Sequence, residues 1–152
     1  MTLTSILSVG LLLLGAGFAA FVRLAPNDPA RWHVDIGSDL VASAGSCADH
    51  VVVAVGSARA VCVLADTPTA ALGRLDAAAL ATPRTTRLAG DPASGRITWI
   101  TRSQLWGFPD YTTAQSQQTP TGTRLEIFAR LRFGQSDMGV NSARLRGWLS
   151  AL

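Results

Sequence analysis

Two aspartates and a set of arginines in the C-terminal half are the side chains whose types and spacing could do chemistry. Asp110 and Asp137, facing Arg102, Arg130 or Arg132 across neighbouring strands, would form a carboxylate and guanidinium cluster on a sheet. With one carboxyl kept protonated by burial, such a pair could serve general acid and base chemistry. The N-terminus of a following helix, with Asn141 as its cap and Arg144 beyond it, could instead hold an anion such as phosphate or carboxylate. A structural role competes with both. Asp137 lies in the glycine-framed turn Gly134-Gln-Ser-Asp-Met-Gly139, where an aspartate accepts backbone N–H bonds, and an Arg–Asp pair would fix the strand-to-helix corner. The structural role carries more weight.

Other chemistries find little support. No GxSxG, HExxH, P-loop or dinucleotide fingerprint is present, and neither His33 nor His50 has the setting of a triad. His33 is read as a solvent-exposed residue. Cys47 and Cys62 are the only cysteines, without CxxC or zinc spacing, so neither a metal nor a cofactor is expected. They pair if the domain faces an oxidising compartment; Cys62 otherwise reads as a small buried hydrophobe in Val-Cys-Val-Leu. Both readings stay open. The net charge of +3 is modest, and the arginines are scattered among acids, which argues against nucleic acid as a partner.

The elements that must position these residues follow from hydrophobic periodicity. Val51 to Val55 and Ala60 to Leu64 are short β-branched runs around Gly56-Ser57 and read as a hairpin. Thr67 is a helix cap followed by proline at the first helical position, and Leu72, Leu75 and Ala79 recur at helical spacing until Pro83. Thr85 to Ala89 and Arg96 to Arg102 alternate as adjacent antiparallel strands, with a further strand at Tyr111 to Ser116 and a polar loop at 117–122. From Arg124 to Phe133, the residues Leu125, Ile127, Ala129, Leu131 and Phe133 line one face and the arginines the other. A last helix over Val140 to Leu152 closes an α+β domain, a mainly antiparallel sheet with two helices packed on it.

Ahead of that domain, Leu3 to Val22 carries no ionisable side chain, and as a helix it would be about 30 Å long, enough to span a bilayer. No basic residue precedes it and it exceeds a signal-peptide core of roughly 7 to 15 residues, so residues 1–23 are expected to be an uncleaved transmembrane anchor. Arg23 and Arg31 are a weak vote for a cytoplasmic domain. Residues 24–46, with Pro26, Pro29, Gly37 and Gly45, read as a juxtamembrane linker in which Asp28-Pro29 starts a short helical turn. Residues 47–152 are then the soluble domain.

Arg102-Ser-Gln-Leu-Trp-Gly-Phe-Pro-Asp110 and Arg132-Phe-Gly-Gln-Ser-Asp-Met-Gly-Val-Asn-Ser-Ala-Arg144 together resemble the two signature blocks of the domain of unknown function 1499 family. Those blocks read along the lines of RS-x-LFGF-x-DD-x-EF and RS-x-SR-x-GYSD-x-GVN-x-x-R. The resemblance implies special roles for Arg102, Ser103, Gly107, Phe108 and Asp110, and for Arg132, Gly134, Ser136, Asp137, Gly139, Asn141 and Arg144. It departs at Tyr111, where the family has a second acid, and at Phe128, where it has an arginine. Similar proteins occur in bacterial envelopes, which implies the inner membrane and a periplasmic domain. The family brings no established reaction.

The expected protein is therefore a single-pass bacterial membrane protein acting as a non-enzymatic binding or assembly module, with the bilayer and a membrane protein complex as partners. The competing reading is a small hydrolase-like enzyme, or a binder of an anionic small ligand or lipid, using the Asp110, Arg132 and Asp137 cluster.

Overall fold

A computed structural model describes residues 2–42 and 46–152. Helix α1 (Leu3–Leu24) and the single turn α2 (Pro29–Trp32) precede a 3-10 turn at Cys47–His50. Then follow β1 (Val52–Ala54), β2 (Ser57–Leu64), α3 (Pro68–Ala81), β3 (Thr85–Asp91), β4 (Arg96–Arg102), β5 (Pro109–Thr119), β6 (Gly122–Leu131) and α4 (Val140–Leu149). The six strands form one antiparallel sheet in the order β1-β2-β6-β5-β4-β3.

The alternation of each strand sorts its side chains onto two faces. One face carries Ala58, Ala60, Cys62, Ile97, Trp99, Ala114, Leu125, Ile127 and Ala129, which pack under Leu72, Leu75 and Ala79 of α3 and Leu145, Trp148 and Leu149 of α4. Small alanines on β2, β5 and β6 let both helices approach the sheet closely. Helix α3 begins as expected, with the Thr67 hydroxyl accepting from Ala70 N–H and Pro68 in the first turn. Its buried Asp76 accepts a 2.8 Å bond from the Trp99 indole and pairs with Arg87, tying the helix to β3 and β4.

Cys47 is disulfide-bonded to Cys62, which decides between the two readings of the cysteines. The bond joins the 3-10 turn to β2 beneath α4.

Several expected boundaries move. The hairpin is lopsided: β1 has three exposed residues, whereas β2 has eight because it pairs along its length with β6. The polar stretch 117–122 is not a loop. β5 runs on through Gln117 and Gln118 to Thr119, whose partner is Gly122, because ladder hydrogen bonds do not require apolar side chains. β6 stops at Leu131, before Phe133. Asn141 does not cap α4; that position belongs to Gly139, at φ +83°, and Asn141 lies buried in the first turn. Met138 and Gly139 both take left-handed backbone, and this bend aims the Asp137 carboxylate at the helix start.

The largest difference concerns the stretch expected to be a linker. Its described part, 24–42, lies as a strap across the sheet face opposite the helices. Trp32 stacks on Tyr111 with ring centres 3.8 Å apart and planes within 4°. The Trp32 carbonyl accepts from Arg130 at 2.6 Å and from the Thr113 hydroxyl. His33, expected to be solvent-exposed, is half-buried instead, with Nδ1 3.0 Å from the Thr98 hydroxyl. Burial, reinforced by the charge of Arg96, holds its imidazole below the usual histidine value. Further along, Arg124 donates to the carbonyls of Ser38 and Leu40. A sheet with one face uncovered would leave Ile100 and Tyr111 in water, and the strap buries both.

Helix α1 is long and apolar enough to cross a membrane, and nearly all of it is exposed. Only its last turns meet the domain. Phe18 packs edge-on against Trp106 and Phe108, Phe21 against Phe133, and Arg23 donates to the Leu105 carbonyl. Gly107, at φ +75°, sits where a side chain would press on Arg23.

Candidate functional site

The six residues singled out by sequence divide between the two faces of the sheet. Asp110 is paired with Leu131 across β5 and β6, so it shares the helix-covered face with Leu131, and Arg130 and Arg132 point the other way. The expected cluster of Asp110, Arg132 and Asp137 therefore does not form.

On the helix side, Asp110, Asp137, Asn141 and Arg144 come together at the corner between β6 and α4. Arg144 donates to Asp110 at 3.1 Å and to the Asn141 side-chain oxygen at 2.7 Å. Asp137 accepts from the backbone N–H groups of Asn141 at 2.8 Å and Gly139 at 3.2 Å, satisfying donors that a helix start leaves open. The Asn141 amide nitrogen lies by the Asp137 carboxylate without making a full hydrogen bond. Burial pushes the Asp110 carboxyl above its ordinary value, and the Arg144 charge and hydrogen bond oppose the rise. Burial acts the same way on Asp137, but its hydrogen bonds together, led by the backbone N–H groups of Asn141 and Gly139, outweigh it and hold this carboxyl below its ordinary value. The partner of Asp110 is thus Arg144, 34 residues away, and not Arg102, Arg130 or Arg132.

On the strap side, Arg132 donates to the Tyr111 hydroxyl at 3.0 Å and to the Pro26 carbonyl at 2.8 Å. The same hydroxyl donates to Asn27 at 2.6 Å. Tyr111 stands where the family pattern has a second acid, and here it links the strap to β6 through Arg132. Arg102 donates to the Gly107 carbonyl at 2.9 Å and folds the 103–108 loop back on itself. Arg130 is held below its usual value by burial and by Arg59, and its guanidinium lies over the Trp32 ring.

Two cavities border these groups. One of about 570 Å³ lies under the strap, far from α1, with Asp35, Arg96, Gln115, Arg124 and Glu126 in its polar lining. Glu126 is 4% exposed and paired with Arg59 at 2.8 Å. The other, of about 650 Å³, opens between α3, the ends of β3 and β4, and α4, with Arg84, Arg102 and Arg144 at its edges. Arg84 was not singled out by the sequence. Among the described residues, no three His, Cys, Asp or Glu side chains gather as a metal site.

The corner built by Asp110, Asp137, Asn141 and Arg144 falls inside a match over residues 44–152 to a family model described as a protein of unknown function, DUF1499. The chain belongs to the DUF1499 family. The chain is also similar to a crystal structure of a protein from Chromobacterium violaceum, at 18% identity and a TM-score of 0.40, covering 63% of this chain and 91% of that one. No curated protein matches the sequence. Within this DUF1499 chain, the second signature block is the turn and helix start that Asp137 holds. The first block is the loop that Arg102 folds against the end of α1.

Proposed function

We propose that this DUF1499 protein is a single-pass protein of the bacterial inner membrane. Its periplasmic domain sits with one end of its sheet on the bilayer and works as a binding module there. The observation that carries this reading is a group of exposed apolar side chains beside α1. Val55 is 84% exposed, Leu105 76% and Met138 93%, with Trp106 and Val140 also exposed. Their loops all lie at one end of the sheet, where Arg102 pairs with Pro109, Asp110 with Leu131, and Leu131 N–H bonds Gly56. That is the end at which α1 meets the domain, through Phe18 and Phe21. Apolar groups gathered beside an apolar helix suit the interfacial region of a membrane, where tryptophan is at home.

The Cys47–Cys62 bond supports the periplasmic side, since such bonds persist in oxidising compartments. The engagement of Arg23 with Leu105 and Arg102 gives that arginine a packing role, which weakens its vote for the cytoplasm. Against the hydrolase-like alternative, Asp110 is bound to Arg144 and Asp137 to helix backbone, so neither carboxylate is placed to move a substrate proton.

Protease treatment of cells tests the proposal. The domain should be protected in intact cells, be digested in spheroplasts without detergent, and carry its α1 residues at full length. Digestion only after the inner membrane is permeabilised, or a chain cleaved after the apolar run, would overturn the reading.

A further inference from the structure

The cleft between α3 and α4 has a composition that suits one class of ligand. Three arginines line it and no carboxylate does. The charge of Arg144 is balanced by Asp110. Arg84 has no acidic partner among the described residues, and its Nε donates to the Arg102 carbonyl. Arg102 itself alternates with Ile100 onto the strap face, where its guanidinium donates to the carbonyls of Gly107 and Arg23, so it borders the cleft without offering its charge to it. Arg84 keeps its side chain at this edge even though its backbone is left-handed, at φ +59°, a conformation that glycine adopts far more easily. Behind the arginines the walls are apolar, formed by Ala81, Val140 and Trp148.

The mouth of the cleft faces the bilayer end. Ser103 and Gln104 at its rim run directly into exposed Leu105 and Trp106, and Val140 follows exposed Met138. A small soluble anion would need the guanidiniums but not the apolar walls. An amphiphile with an anionic head uses both.

We propose that this cleft binds the phosphate-bearing headgroup of an anionic membrane lipid. Arg84 binds the phosphate oxygens, Arg144 adds its charge beside it, and the glycerol and first acyl carbons lie against Val140 and Trp148. This rests on the bilayer-seated reading for the source of the ligand, while the binding itself can be measured without a bilayer.

The test uses the full chain in a neutral detergent, titrated separately with short-chain phosphatidylglycerol, short-chain phosphatidylcholine and inorganic phosphate. Phosphatidylglycerol should bind at least about tenfold more tightly than either of the others, as charge-assisted hydrogen bonds require. Arg84→Gly, which the left-handed backbone favours, should keep the fold and remove that preference. Arg146→Ala, on exposed α4 surface outside the cleft, should leave it unchanged. Equal binding of phosphatidylcholine, equal binding of inorganic phosphate, or an unaltered preference in Arg84→Gly would each overturn the proposal. The protease experiment reads the seating of the domain separately, so either idea can fail while the other stands.

Discussion

Trp32→Ala is expected to destabilise the domain by about 3 kcal/mol, the scale seen when a buried tryptophan is cut back to alanine, and to lower the melting temperature by roughly 10 °C or more. The reason lies in what the ring covers. Trp32 is buried on Tyr111, with Ile100 beside it and the Arg130 guanidinium 5.3 Å from the ring centre. Removing the ring opens a void between strap and sheet. The side-chain bonds from Arg130 and Thr113 to the residue 32 carbonyl would remain but would be open to water. Hydrogen exchange should therefore rise over 26–42 and stay low over α3, which packs on the other face. Unchanged protection of 26–42 in Trp32→Ala would show that the strap is held by something else.

The second large effect is expected in α1. Leu12 and Leu13 are 73% and 68% exposed, so their environment is set by whatever surrounds the helix. An arginine near the centre of a membrane-spanning helix costs about 2.5 to 3.5 kcal/mol of insertion. The double change Leu12→Arg with Leu13→Arg should accordingly move the chain out of the alkali-resistant membrane fraction. The domain fold should be unaffected, because the contacts of Phe18 and Phe21 lie further along. Full retention of the double variant after alkaline extraction would mean that α1 is not the anchor.

The parts of this protein that were legible in the sequence are those whose signals are local. Thr67-Pro68 announces α3 because cap and first turn are adjacent, and the alternation of Leu125, Ile127 and Ala129 announces β6 because strand period is a property of one segment. The site needed more. Whether Asp110 meets Arg132 or Arg144 depends on the register of β5 against β6, and a shift of one residue exchanges the two faces. Asn141 looked like a cap because its type is right; the left-handed pair Met138 and Gly139 gave that role to Asp137 and the backbone.

The strap was illegible for a related reason. Its prolines and glycines give it no period, and what fixes it is a set of contacts to Thr98, Tyr111, Thr113, Arg124 and Arg130, more than sixty residues further along. Trp32 beside His33 was the one available hint, an aromatic and a polar ring together in a stretch otherwise read as linker. Arg84 follows Pro83 in an ordinary turn, and only its φ and the cleft beside it set it apart. The disulfide was equally undecidable, since nothing in two isolated cysteines reveals that a 3-10 turn brings Cys47 against β2.

The central claim is that one end of the sheet rests in the membrane interface. A spin label on Leu105→Cys in the full chain, reconstituted in lipid vesicles, tests this through the relative access of oxygen and of a water-soluble nickel relaxant. Oxygen concentrates in lipid, so Leu105 should be oxygen-favoured, whereas the same label on exposed Thr121, at the opposite end of the sheet, should be nickel-favoured. Equal nickel access at the two positions would contradict the account.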